Sequence, residues 1–172
     1  MGRLEPMDAY QSIVTKRDTR SFSSDPVSDE DLHRVLQAGR MAGSAKNQQL
    51  NRIVVVTDAA DRAKLAECGN FTDWIPEAPV VAVMVVPSEG GKPFDIGRMT
   101  QNMMVVAHSL GLASCPVTFH HQDCVRELLG IPADHDAPMG VGLGHPAPAD
   151  ERKERAPRIP LEELVNWGRW RD

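Results

Sequence analysis

Lys16-Arg17-Asp18-Thr19-Arg20-Ser21-Phe22 and Ala42-Gly43-Ser44-Ala45-Lys46-Asn47-Gln48-Gln49 stand on either side of one amphipathic helix pattern. The first stretch offers guanidinium forks, which match phosphate oxygens in bidentate geometry. The second offers amides and a hydroxyl, which read the polar edge of a ring. A cationic clamp followed by an amide-rich loop suits a nucleotide-like ligand. Between them, Ser28 with Asp31 is a capping-box-like start. Leu32, Val35, Leu36 and Gly39 then recur at helical spacing and form one apolar face. Beyond the loop, Ile53-Val54-Val55-Val56 is a short β-branched run, which predicts a buried strand.

Working outward, Pro6 suits the first turn of an opening helix through Ala9, Ile13 and Val14. Asp58 caps a short helix holding Leu65, and Val80–Val86 is a second buried strand bounded by Pro79 and Pro87. Ser88–Pro93 is a turn-rich loop without the spacing of a phosphate-binding P-loop. Arg98–Leu110 is helical, with Met99, Met103, Val106, Ala107 and Leu110 on one face and Gly111 as C-terminal cap. Its methionines read as packing. Ser114–Phe119 predicts a strand and Cys124–Leu129 a helix ended by Gly130. Met139–Leu143 alternates with glycine, so this strand has another group packed against its backbone. After the polar Ala147–Pro157 tail, Pro160 starts a last helix through Leu161, Leu164, Val165 and Trp167. Strands and helices mix without strict βαβ alternation, which predicts an α+β fold with helices around a central sheet.

The chain has 172 residues, enough for one domain with a full core, so a single domain over 1–172 is expected. A net charge of −5 argues against a nucleic-acid partner. No apolar run reaches membrane-span length, and the start of the chain lacks the order of a signal peptide. The three cysteines, Cys68, Cys115 and Cys124, show no framework spacing. The expectation is reduced thiols in a cytoplasmic protein. Cys115, His120, His121 and Cys124 lie close in sequence, but not at zinc-finger spacing. In an extended segment His120 and His121 point to opposite faces, so no metal is expected. His108 and the three tryptophans read as packed or partner-bonded residues.

The two opening segments, the apolar strand, Asp95–Ser114 ending in Gly111-Leu112-Ala113-Ser114, and Gly142–Pro146 followed by Arg158–Glu163 resemble the nitroreductase family of flavin enzymes in this order. The resemblance implies a nitroreductase-like α+β fold, with a central, mostly antiparallel sheet flanked by helices. It also implies an intertwined homodimer with FMN at the interface. It assigns the flavin phosphate to Arg17, Arg20 and Arg158. Asp18, standing where a Ser is common, is left to a ribityl hydroxyl or a neighbouring Arg. Ser44, Asn47 and Gln49 are assigned to the flavin of the other protomer. Pro116 and Val117 are placed against the ring, and Leu143 and Gly144 on its pyrimidine side. No protein acid or base is named.

The implied function is an FMN-dependent oxidoreductase using NADH or NADPH. It would reduce a small organic acceptor of nitroaromatic, quinone or enone type by a ping-pong mechanism, and the cofactor would carry the redox chemistry. No Gly-x-Gly-x-x-Gly fingerprint follows a strand, so the nicotinamide is expected only as a transient reductant. The alternatives are a flavin-binding or sensing protein with little turnover, and a specialised flavin-cleaving or dehalogenating relative. The chain departs from the family in Gly43-Ser44-Ala45, in Leu50-Asn51 and in Ala156, each at a position where another residue is common.

Overall fold

The computed structural model describes residues 7–148 and 157–170. The expected Pro6 helix start and most of the Ala147–Pro157 tail lie outside them. The helices are α1 (Ala9–Thr15), α2 (Asp29–Arg40), α3 (Ala59–Ala66), α4 (Pro93–Ser109), α5 (Gln122–Leu129) and α6 (Leu161–Leu164). The strands are β1 (Arg52–Val56), β2 (Val80–Pro87), β3 (Ala113–Thr118) and β4 (His135–Gly144). Among the described residues they form a four-stranded sheet in the order β1-β2-β4-β3, with every neighbouring pair antiparallel. The expected α+β architecture is observed.

The caps explain where the helices start. At α2, Ser28 Oγ accepts from the Asp31 amide at 3.1 Å and donates to the Asp31 carboxylate at 2.9 Å. Asp58 accepts from the amides of Ala60 and Asp61, at 2.9 and 3.0 Å, to start α3. Helix α4 begins at Pro93, earlier than the Arg98 expected from its apolar face. Proline is favoured at that first-turn position, and the exposed Phe94 hides the helical pattern. Helix α6 stops after Leu164 and does not reach Trp167, because Val165 is already extended.

Alternation along β2 sends its side chains to both faces of the sheet. Val81, Val83 and Val85 join Leu65, Ile75, Val117 and Val125 on the α3/α5 side. Val80, Ala82, Met84 and Val86 join Val35, Ile96, Met103 and Leu143 on the α2/α4 side. Each such buried side chain contributes about 1.5–3 kcal/mol relative to exposure. The glycine alternation of β4 has the expected cause. A Cβ on Gly142 would lie 2.5 Å from the Trp74 ring. Trp74 therefore packs closely against β4, 9% exposed, beside Phe22.

One expectation is overturned. Cys68 and Cys124, read as separate thiols, are joined by a disulfide, while Cys115 is free and buried. The two partners are 56 residues apart, and the packing of α3 against α5 brings their Cα atoms to 5.5 Å. No local spacing carries that pairing.

Candidate functional site

After α1 the chain runs extended through Lys16–Phe22 and is stitched to the sheet from both sides. Asp18 bridges Ser114 in a parallel sense, and the Thr19 amide donates to the Ser114 carbonyl at 3.1 Å. The Ser23 amide donates to the His145 carbonyl at 2.9 Å, and Phe22 bridges Pro146. An extended backbone alternates its side chains, so Lys16, Asp18 and Arg20 share one side. Lys16 pairs with the Asp18 carboxylate, and the Lys16 side chain is only 11% exposed. The Arg20 guanidinium lies beside the Cys115 thiol of β3, which itself donates to the Pro116 carbonyl at 3.5 Å. Burial pushes that thiol above its ordinary value, and the Arg20 guanidinium offsets part of the rise.

Arg17 points elsewhere. Its Nη1 donates to the carbonyls of Val14 and Lys16, at 3.0 and 2.8 Å, at the C-terminal end of α1. The sequence pairs Arg17 with Arg20, whereas in the structure it is Lys16, on the same side of the segment as Arg20, that pairs with Asp18. Lys16 and Cys115 share this corner with Asp18 and Arg20, and the sequence reading did not place them there. The signal for Lys16 was the two-residue period of the extended segment, which outranks the three-residue spacing of the two arginines. Arg158 is exposed, just ahead of α6.

The strand register adds two more candidates to this corner. Leu143 lies opposite Ser114, and Gly144 opposite Ala113, so both sit next to the Asp18 bridge. The Leu143 side chain is fully buried in the α2/α4 core, which leaves only its backbone facing a ligand. Pro116 and Val117 continue along β3, where Val117 is buried and Pro116 half-buried.

Ser44, Asn47 and Gln49 form a second, separate cluster. Ser44 Oγ accepts from the Gln49 amide at 3.0 Å. Lys46, Asn47 and Gln49 all have left-handed backbones, with φ of 53°, 53° and 51°. Such a conformation costs a non-glycine residue about 1–2 kcal/mol and persists only where the surroundings enforce it. Arg52 holds the Gln49 end of this run, its Nη1 donating to the carbonyls of Gln49, Leu50 and Asn51. Arg98 holds the Gly43 carbonyl at 2.9 Å. Beside this loop a groove of about 460 Å³ is lined by Ser44, Gln49, Asn51, Arg40 and Asp95.

The two clusters occupy opposite corners of the sheet. The loop leads into β1 at one edge, and the Lys16–Arg20 segment lies against the start of β3 at the other. Three strand spacings, about 14 Å, separate those edges. The β1 start is also opposite the C-terminal end of β2, and Ser114 lies near its N-terminal end. One chain therefore does not bring the two halves together.

The nitroreductase family model matches residues 13–86 and 72–145, which include both clusters. The chain belongs to the nitroreductase family. Within it, the chain is 30% identical over 149 residues to a putative NADH dehydrogenase/NAD(P)H nitroreductase of Archaeoglobus fulgidus, covering 81% of this chain and 86% of that one. The fold is similar to the crystal structure of nitroreductase A from Vibrio parahaemolyticus. There the TM-score is 0.85 at 29% identity, covering 96% of this chain and 78% of the other. It is also similar to the NADPH:FMN oxidoreductase of Vibrio harveyi complexed with NAD+, with a TM-score of 0.84 at 27% identity over 95% and 78% of the two chains.

The donor set of this nitroreductase-family chain fits a flavin phosphate. Lys16 carries three N–H donors and Arg20 five. The Asp18 carboxylate between them supplies an acceptor for a hydroxyl. Among the described residues no cluster of His, Cys, Asp and Glu has the arrangement of a metal site. The Cys124 sulfur is already bonded to Cys68. His108 is partner-bonded, as expected of it, with Nε2 and the Oγ1 of the distant Thr15 2.9 Å apart.

Proposed function

We propose that the protein is an FMN-dependent oxidoreductase that takes electrons from NADH or NADPH and passes them to a small organic acceptor. Nitroaromatics, quinones and enones are the acceptor classes. The reading is supported by family membership and by relatives named for this chemistry, an NADPH-flavin oxidoreductase of Vibrio harveyi and an FMN reductase [NAD(P)H] of Bacillus subtilis. When bound, the flavin supplies two-electron transfer between nicotinamide and acceptor. Lys16 and Arg20 hold its phosphate, and Asp18 holds a ribityl hydroxyl. Backbone groups of Pro116, Val117, Leu143 and Gly144 line the ring. Arg17 and Arg158 remain candidates for the outer phosphate oxygens.

The protein works as a homodimer of a single domain spanning 1–172. One observation carries this: Ser44, Asn47 and Gln49 stand at the opposite corner of the sheet from Lys16 and Arg20. A two-fold axis brings one protomer's loop to its partner's cationic corner. Exposed apolar side chains on α1 and near α6 support such an interface, Tyr10 at 70% and Leu161 at 70% among them. A flavin-binding protein with little turnover is the second reading. The short Ser88–Lys92 connection favours it, because it leaves little chain to close over a bound acceptor.

Mixed dimers test the composite site. A Lys16→Ala/Arg20→Ala chain and an Asn47→Ala/Gln49→Ala chain each lose flavin alone. Refolded together at equal amounts, they form mixed dimers that hold one intact site each, so about a quarter of the wild-type flavin returns. No recovery over either variant alone contradicts the composite site.

A further inference from the structure

We propose that the Cys68–Cys124 pair is a thiol–disulfide exchange site, opened at Cys124 by an external dithiol, and that its bond braces the corner between β3 and α5. The proposal stands apart from the flavin reading. Two kinds of link join Cys68 to this corner. Its carbonyl accepts from the amides of both His120 and His121, each at 3.1 Å. Its sulfur is bonded to Cys124, within the first turn of α5. The Asn70 amide adds a third link, donating to His120 Nδ1 at 3.3 Å. His121 is the N-cap residue of α5, so the corner and the start of the helix are held as one unit from the end of α3.

The two sulfurs differ in access. Cys68 is fully buried, whereas Cys124 is only partly so and lies at the margin of the core. Exchange needs a thiolate to reach a sulfur in line with the bond it breaks, and this asymmetry directs attack to Cys124. One thiolate of the external dithiol bonds to Cys124 Sγ. The bond to Cys68 breaks, and its electron pair leaves on Cys68 Sγ, which takes a proton. The second thiolate of the dithiol then attacks its own sulfur in the mixed disulfide and releases Cys124 as a thiolate. Two electrons and one proton pass to the pair, the dithiol's other proton goes to solvent, and the dithiol leaves as a disulfide. A thiolate released in the first turn of α5 is also favoured by the helix dipole. Cys115 takes no part, being buried beside Arg20.

The test uses the full chain, incubated first with oxidised glutathione and then with dithiothreitol. Of the three cysteines, one titrates as a thiol after unfolding of the oxidised protein, and all three do so after reduction. A single glutathione adduct, formed from the reduced protein at limiting oxidant, maps to Cys124. Hydrogen exchange of the amides over 119–129 speeds up about tenfold or more on reduction, while β2 amides stay protected. A Cys68→Ser/Cys124→Ser chain shows the fast exchange in either condition. Three thiols after the oxidising step overturn the proposal, as does an adduct on Cys68 or an exchange rate over 119–129 that ignores the reductant.

Discussion

The Arg20 guanidinium lies beside the buried Cys115 thiol, with Lys16 and Asp18 also within electrostatic reach. Lys16 pairs with Asp18, so the Arg20 charge is left in excess over the one carboxylate of this side of the segment. Removing either cation weakens flavin mononucleotide binding. A hydrogen bond to a charged group is worth about 1.5–3 kcal/mol. Lys16→Ala and Arg20→Ala should therefore each raise the dissociation constant roughly 10- to 100-fold. Arg17→Ala should raise it less, by up to about fivefold, since its guanidinium is already held by the Val14 and Lys16 carbonyls and an exposed charge contributes about 1 kcal/mol or less. Quenching of flavin fluorescence on titration reads all three.

The same contact sets the reactivity of Cys115. Burial raises its pKa above the ordinary 9.0, and Arg20 limits the rise. The folded protein should alkylate slowly with iodoacetamide even at mildly alkaline pH, and Arg20→Ala should slow it further. The stability consequence has a definite sign. With its folded-state value raised, the thiol contributes stability in full below about pH 9 and loses it as pH rises through the folded value. Denaturant midpoints should fall over that alkaline range, and Cys115→Ala should flatten the fall.

Gly142 tests how closely Trp74 lies on the sheet. A Cβ there meets the indole at 2.5 Å and the Ala78 methyl at 3.2 Å. Gly142→Ala should destabilise by about 1–3 kcal/mol through overpacking. A fall in the denaturant midpoint with unchanged slope checks it.

The left-handed run at Lys46, Asn47 and Gln49 separates strain from function. Lys46→Gly should stabilise the protein by up to about 1 kcal/mol, since glycine adopts this backbone freely, and should leave flavin binding unchanged. Gln49→Ala should weaken flavin binding with little change in melting temperature. Thermal melts and flavin titrations on the two variants make the contrast.

Much of the fold was legible because local pattern and burial agree. The run Val80–Val86 is apolar at every position and became the strand buried on both faces. Ser28 and Asp31 marked a helix start that the observed cap reproduces. Legibility failed where distant partners decide the outcome. Cys68 meets Cys124 only because α3 packs on α5. Pro93 opens α4 behind an exposed Phe94, so no apolar period announced its first turn. At the candidate site, the motif order singled out Arg17, whereas the structure turns Lys16 to the side of the segment shared by Asp18 and Arg20. Which side chains of an extended segment face inward follows from its pairing with Ser114, not from its composition. The polar loop at Ser44–Gln49 was found from amide chemistry, and its distance from Arg20 emerged only with the strand order.

The central claim is tested most directly by the visible absorption spectrum of the purified protein, reconstituted with flavin mononucleotide, before and after NADH or NADPH is added without oxygen. The account predicts a bound-flavin spectrum that bleaches with one of the two reductants and recovers when a quinone or nitroaromatic acceptor is supplied. A protein that cannot retain the flavin, or whose bound flavin stays oxidised with both reductants, would contradict it.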